Sequence, residues 1–348
     1  MTVFQVGIIG CGKPWKSEGA TGFGMSHAHA KGYTAAPDCQ IVALADISEE
    51  NAKAFQAIHG GERIYTDYHE MLAQEKLDIV SISTWPHLHA EMVIACAEAG
   101  VKAVHCEKPM APTYGEAKRM VAACERNGVQ LTFNHQRRFG RPFRKAKELL
   151  KSGAIGQLER MEATCDNLFD WGTHWFDMLC FYNDETDIEW VIGQIDGRGS
   201  TRIFGALVEG QGLSQFKFKN GVTGLLMTGA GADRRLSNRL IGSEGIIDLY
   251  YDQGLHLRVW GKGNAGWQPV ETGETVGDLD YVQRGVLDLV DALKTGREPE
   301  LAGRRALRAT ELIFATYESS RRRSRIDLPL EIEDSPLVSM VEAGEIQT

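Results

Sequence analysis

The chain of 348 residues is long enough for about two domains. Its net formal charge of −9 disfavours a role on nucleic acid or on an anionic membrane surface. No apolar run reaches the ~20 residues that a membrane-spanning helix requires.

From the N-terminus, Met1 leads straight into strand-like sequence with no basic-then-apolar leader. Short apolar runs follow at intervals: Phe4 to Ile9, Ile41 to Ala45, Ile79 to Ser83, Ala103 to Cys106 and Gln130 to Phe133. Alanine-rich stretches of helical period lie between them, such as Ala90 to Ala99, which Gly100 should stop. Nearly continuous apolar strands, alternating with helices, predict a parallel sheet covered on both faces.

The first strand runs into Gly10-Cys11-Gly12. Such a turn lets backbone N–H groups and a helix N-terminus approach a pyrophosphate, although glycine turns after strands also occur as plain β-turns. The next strand ends in Asp46, whose carboxylate suits the hydroxyls of an adenosine ribose and repels a 2′-phosphate. That favours NAD over NADP; a turn or helix-capping role is the other reading. No third glycine follows Gly12 at the usual spacing. Gly24, 22 residues before Asp46, is taken as the displaced one. The stretch between would be a loop in which Lys13 and Lys16 either meet phosphate or stand in solvent. Further on, Glu107-Lys108-Pro109 sits at the carboxyl end of a short strand, the edge at which ligands bind in open parallel sheets.

After about residue 135 the character changes. Helices are predicted from Phe143 to Leu150 and from near Asp170. Strands are predicted at Ile188 to Ile192, Leu213 to Phe218, Val222 to Met227, Ile246 to Tyr251 and Leu255 to Trp260. Lys219-Asn220-Gly221 reads as a hairpin turn. Helices from about Leu279 to Lys294 and Gly303 to Ser320 close the chain. The expected organisation is an α/β dinucleotide-binding domain over 1–134 and an α+β domain with a large, mainly antiparallel sheet over 135–348. Asp170 and His174, four residues apart, are expected on one helix face, with Asp170 capping that helix in the alternative reading. A histidine there has a pKa suited to general base work, with a satisfied core histidine the lesser alternative.

Four stretches together resemble the glucose–fructose oxidoreductase / inositol dehydrogenase / MocA family: Gly7 to Gly12, Glu107-Lys108-Pro109, Asn134-His135-Gln136-Arg137-Arg138-Phe139, and Asp170-Trp171-Gly172-Thr173-His174-Trp175-Phe176-Asp177. The tail from Ser319 to Pro329 resembles the family's closing helix and strand. The resemblance implies a Rossmann-type first domain, with Lys108, Asp170 and His174 as catalytic and substrate-contacting residues and Trp171 beside them. It implies cofactor contacts from Gly10, Cys11, Gly12, Gly24, Asp46, Thr84, Trp85, His89, Glu107 and Lys108. The implied reaction is hydride transfer between NAD and a secondary alcohol or ketone carbon of a sugar, sugar derivative or cyclitol. Two alternatives stay open: NAD-dependent cleavage of a glycosidic bond with no net redox change, and a ligand-sensing module without catalysis. Three features depart from the family: the longer loop after Gly12, Trp85 in a slot that is usually proline, and a short stretch from Gly156 to Asp170.

Trp171 and Trp175 could form a platform for a sugar ring, with core packing the alternative, and Asp177 reads as structural. His27/His29 and His87/His89, alternating as on a strand, lack a third ligand at metal-site spacing, so no metal is expected. Arg321-Arg322-Arg323 closes a helix, where cations complement the dipole. The seven cysteines are odd in number with no CxxC spacing, and read as reduced residues of a cytoplasmic protein. A homodimer or homotetramer through the second domain's sheet is expected from the resemblance.

Overall fold

The computed structural model describes residues 3–20, 22–229, 232, 236–250, 256–263, 265–278 and 280–348. Tyr251, Leu255 and Leu279, at the ends of predicted elements, lie outside the described residues. The chain forms two compact units, one of Met1–Ala111, Glu116–Gln136 and Leu279–Leu307, the other of Pro112–Gly115, Arg137–Asp278 and Arg308–Thr348.

The first part of the chain alternates strand and helix: β1 Phe4–Ile9, α1 Met25–Ala35, β2 Cys39–Ala45, α2 Glu49–His59, β3 Arg63–Tyr65, α3 Tyr68–Gln74, β4 Ile79–Ile82, α4 Pro86–Glu98, β5 Ala103–Cys106, α5 Tyr114–Asn127 and β6 Gln130–Phe133. The six strands form one parallel sheet in the order β3-β2-β1-β4-β5-β6. The order reverses beside β1, the switch point at which such sheets bind ligands. Local sequence explains the helix ends. Ser48 caps α2 by accepting the Asn51 N–H, with Glu49 and Glu50 favourably placed in its first turn. Pro86 opens α4. β3 was not foreseen; only one of its three residues is buried, so it carries little apolar signal.

The second part contains α6 Arg141–Lys151, β7 Leu158–Cys165, α7 Gly172–Tyr182, β8 Ile188–Asp196, β9 Thr201–Ile203, β10 Ala206–Val208, β11 Gln211–Phe218, β12 Thr223–Thr228, β13 Leu236–Gly242, β14 Gly245–Tyr250, β15 Leu257–Trp260, β16 Gln268–Pro269, α8 Asp280–Thr295, α9 Gly303–Arg322, β17 Ile326–Asp327 and α10 Pro336–Glu342. Nine strands form a sheet in the order β16-β15-β14-β13-β7-β12-β11-β8-β17. Every pairing is antiparallel except β7 with β12. The expected Lys219-Asn220-Gly221 hairpin joins β11 to β12, with the Gly221 N–H donating to the Phe218 carbonyl. Burial alternates along β11, so one face is covered and the other open. α7 packs on β7 and β12.

α8 belongs to the first unit, where it lies against α1. Gly32 of α1 makes this approach close: a Cβ there would stand 2.5 Å from the Val286 side chain. Val286, Leu289 and Val290 share a core with Val6, Ile8, Tyr33 and Phe55.

Candidate active site

Register at the carboxyl edge of the parallel sheet brings the candidate residues of the first unit into line. Ile9 pairs with Ala45 and Ile82, Ile82 with Cys106, and Cys106 with Phe133. The residues that follow, Gly10, Asp46, Ser83, Glu107 and Asn134, therefore stand in one row. The ladder continues through them, with N–H donation from Gly10 to Ala45, Ser83 to Ile9, Glu107 to Ile82 and Asn134 to Cys106, each at 2.9 Å.

The turn at Gly10-Cys11-Gly12 has the shape a pyrophosphate needs. A Cβ at Gly10 would meet the Ser83 carbonyl oxygen and Thr84 at 2.9 Å, whereas nothing lies within 4 Å of one at Gly12. The backbone at Gly12 is thus open to a ligand. Cys11 is fully buried, so it offers the ligand backbone only. Gly24 caps α1 in the left-handed region (φ 60°), with the Lys13 carbonyl oxygen 2.5 Å from where its Cβ would be. Both restrictions demand glycine. The Ser26 hydroxyl donates to the Cys11 carbonyl and ties the first turn of α1 to the loop.

Asp46 is anchored rather than dangling. One carboxylate oxygen accepts the Gly12 N–H at 2.9 Å and the other the Ser48 N–H at 2.8 Å. Each oxygen keeps a further lone pair for a ribose hydroxyl. Lys13 stands 3.7 Å from Glu50 at the start of α2, so it faces the ribose end of the turn. Lys16 lies over the ring of Trp15, 4.2 Å from its centroid, and Trp15 packs on Phe23 at 5.9 Å. Trp15, Phe23, Ile47 and Trp85 are large apolar residues left exposed on the loops that follow β1, β2 and β4. Exposed apolar side chains gathered at one sheet edge suit the faces of a ligand.

Beneath Lys108 the polar groups are buried. Glu107 accepts from the His29 ring at 2.9 Å and the Asn134 amide at 2.6 Å on one oxygen, and from the Lys108 N–H at 3.2 Å on the other. Burial pushes its pKa up, but these donors and the nearby Lys108 charge outweigh burial and bring it down to about 2. His89 is enclosed too. Its ring nitrogens face the carbonyls of Pro109 (2.9 Å) and Thr84 (3.2 Å), so it joins the loop after β4 to the loop after β5 and any effect on a cofactor passes through them. Lys108 itself is half-buried.

The second unit holds Asp170, Trp171 and His174. The expectation that Asp170 and His174 share a helix face is corrected here: α7 begins at Gly172, and Asp170 lies in the turn ahead of it. The turn forms because Asn167 bonds forward, its side chain accepting the Asp170 N–H (2.6 Å) and its carbonyl the Gly172 N–H (2.8 Å). Trp171, not Asp170, occupies the capping position. Buried Glu209, which sequence reasoning missed, supports this turn. It accepts the Leu168 N–H at 2.6 Å, the Tyr317 hydroxyl at 2.6 Å and the Thr228 hydroxyl at 3.1 Å. Its pKa is raised by burial. Arg137 lies over the rings of both Trp171 (5.3 Å) and Trp175 (4.8 Å). Trp175 is core, whereas Trp171 is half-exposed, so only Trp171 can meet a ligand ring. Asp177 has the expected structural role, taking two bonds from buried Arg138, each at 2.8 Å.

His27/His29 and His87/His89 sit on helices α1 and α4, not strands, so members of each pair point to different faces. Among the described residues no group of three metal-ligating side chains occurs and no helix is long and apolar enough to cross a membrane.

A family model described as "Oxidoreductase family, NAD-binding Rossmann fold" matches residues 4–135. D-apiose dehydrogenase of Paraburkholderia graminis is 27% identical over a 375-residue alignment that covers 99% of this chain and 95% of that protein. Myo-inositol 2-dehydrogenase of Thermotoga maritima is 31% identical over 153 residues, 44% of this chain and 42% of that protein. Levoglucosan dehydrogenase, solved with NADH and levoglucosan, shares the fold with a TM-score of 0.79 at 22% identity, over 94% of this chain and all of that one. The cofactor turn, the anchored Asp46 and Glu107-Lys108-Pro109 stand in one row within residues 4–135, the stretch that matches the NAD-binding Rossmann fold of this oxidoreductase family.

Proposed function

We propose that this protein is an NAD-dependent dehydrogenase that acts on a secondary alcohol, or the matching ketone, of a sugar, sugar derivative or cyclitol, with Lys108, Asp170 and His174 as its proton-handling residues. One observation carries the reading: Lys108 stands on a buried, ionised Glu107 at the sheet edge that also presents the dinucleotide turn and Asp46. The names of the relatives supply the substrate class.

NAD, when bound, would supply the acceptor for a hydride from the carbinol carbon. The chain's own residues do the rest. His174 takes the proton of the substrate hydroxyl as general base. Lys108 stabilises the alkoxide as it develops. Asp170 orients the hydroxyl or the imidazole, and Trp171 offers a ring face to the apolar side of a sugar. Asp46 and the exposed turn at Gly12 hold the adenosine ribose and pyrophosphate, with NAD preferred to NADP.

The open face of the nine-stranded sheet, which exposes Ile192 and Leu213, supports a homodimer or homotetramer, a state that light scattering reads directly. Seven free cysteines suit the reducing cytoplasm.

The test is nicotinamide absorbance with NAD or NADP and a panel of sugars, sugar acids, glycosides and inositols, with Lys108→Ala alongside. Turnover with NAD that falls about 10²–10⁴-fold in the variant, with NADH binding kept, supports the reading. Full activity in Lys108→Ala overturns it.

A further inference from the structure

His29 lies on α1, just past the dinucleotide turn, and is fully buried. Its Nδ1 is 2.7 Å from the Ser81 hydroxyl on β4, and its Nε2 is 2.9 Å from Glu107 Oε1. Ser81 is also fully buried and Glu107 nearly so. The direction of the bond to Glu107 follows from chemistry. An ionised carboxylate only accepts, so Nε2 carries the proton. Nδ1 pairs with the Ser81 hydroxyl, which can donate or accept. The chain of hydrogen bonds joins Ser81, His29 and Glu107, and Glu107 also accepts from Asn134 and from the backbone N–H of Lys108. The His29 ring packs on the His105 ring at 4.5 Å.

A buried carboxylate with this many donors is costly to build, and apolar residues of similar volume would give an equally stable core. The arrangement makes sense if the orientation of Glu107 matters. What that orientation fixes directly is the backbone of Lys108.

We propose that His29 is a positioning residue for the hydride-transfer reaction: with Ser81 behind it, it holds Glu107, and through Glu107 the backbone from which Lys108 reaches the substrate. The inference rests on the reading of Lys108 as the proton-handling lysine. It assigns α1 a second task, because the helix that opens at the cofactor turn also sets the lysine. Glutamine can reproduce the device, donating from Nε2 to Glu107 while its Oε1 accepts from Ser81. Leucine fills the same volume without either bond.

The experiment compares wild type, His29→Leu, His29→Gln, Ser81→Ala and Lys108→Ala. The first readout needs no substrate: trace acetylation with acetic anhydride across pH, in the presence of NADH, with mass spectrometry of the Lys108 peptide. The second is kcat and its pH profile on the substrate found in the panel. NADH affinity by fluorescence reports an intact cofactor half. For His29→Leu we expect an acetylation profile at Lys108 displaced at least 3-fold in rate, kcat lower by about 10²-fold and an acid limb moved to higher pH, with NADH affinity within about 3-fold. For His29→Gln all values should stay within about 5-fold of wild type. Ser81→Ala, a mild change that guards against a misfolded leucine variant, should show the same effects at about a tenth of the size. Wild-type acetylation and pH profiles in both His29→Leu and Ser81→Ala overturn the proposal. So does a glutamine variant as impaired as the leucine one. If Lys108→Ala alone keeps full turnover, the reading of Lys108 fails; if it is inactive while His29→Leu is normal, only the role of His29 fails.

Discussion

Asp46 shows how one side chain can serve structure and ligand at once. Its oxygens already accept the N–H groups of Gly12 and Ser48, so the carboxylate is fixed before any ribose arrives. Asp46→Ala should weaken NAD by about 1.5–3 kcal/mol, the worth of hydrogen bonds to a charged group. NADP should gain relative to NAD, because a repelling charge is gone. Titration calorimetry with both cofactors checks this; equal losses for the two would mean that Asp46 only braces the turn. His59 makes a different prediction. It lies 2.9 Å from the His27 ring, and its pKa is lowered to about 4 by burial first and by the charges of His27 and Lys31 next. A histidine with a depressed folded pKa is protonated first in the unfolded state. Stability should therefore fall as pH drops from about 6.5 to about 4, and no further below that on this account. Thermal unfolding across that range should show a shallower slope in His59→Gln. A remainder should persist, because burial also depresses the pKa values of His89 and His105.

At the scale of elements, the stretch from Lys13 to Ala20 is built from successive turns: the Ser17 N–H donates to Pro14 at 3.0 Å and the Ala20 N–H to Ser17 at 3.1 Å. It is locked to α1 by the close pass of Lys13 over Gly24. Gly24→Ala should push this stretch away from the helix and cost the left-handed conformation as well, about 1–2 kcal/mol for the backbone alone. The expected result is weaker NADH binding with the second unit's fold intact, read by fluorescence titration beside near-ultraviolet dichroism; unchanged affinity would mean that this stretch plays no part in holding the cofactor. The same scale shows why some elements were legible and others not. β1, β2, β4, β5 and β6 are largely buried and read as nearly continuous apolar runs. β7, at the centre of the second sheet, was missed because Glu159, Arg160 and Glu162 interrupt it, and its inward residues Met161, Ala163 and Cys165 make a weak alternation. The start of α7 was placed too early because Asp170 resembles a cap, whereas the bonds from Asn167 hold it in a turn. Lys108, Asp46 and Gly24 could be found from motif and spacing. His29, Ser81 and Glu209 could not, because their partners are 19 to 108 residues away and no local pattern announces them.

For the molecule as a whole, the question is which segments make the cofactor unit complete. Local periodicity identifies α8 as a helix but says nothing about the sheet it serves. In the structure it returns to the first unit. Its Val286, Leu289 and Val290 are buried with the residues of β1 and α1, and the Phe133 N–H donates to the Leu301 carbonyl at 3.1 Å. Burying a side chain of that size is worth about 1.5–3 kcal/mol. Three of them amount to a large part of the 5–15 kcal/mol by which a domain is usually stable. A fragment ending at Gln136 would leave the Gly32 face of α1 uncovered, a groove shaped for Val286 and open to water. It should be unstable and bind NADH poorly, although it contains every expected cofactor contact. Joining residues 280–307 to it through a flexible linker should restore a cooperative unfolding transition and NADH binding together. Saturation at 100 times Kd should then raise stability by about 2.7 kcal/mol, the mass-action value for a ligand that binds only the folded state. Tight NADH binding by the short fragment alone would show that the parallel sheet and its own helices suffice, and that α8 covers a unit already complete.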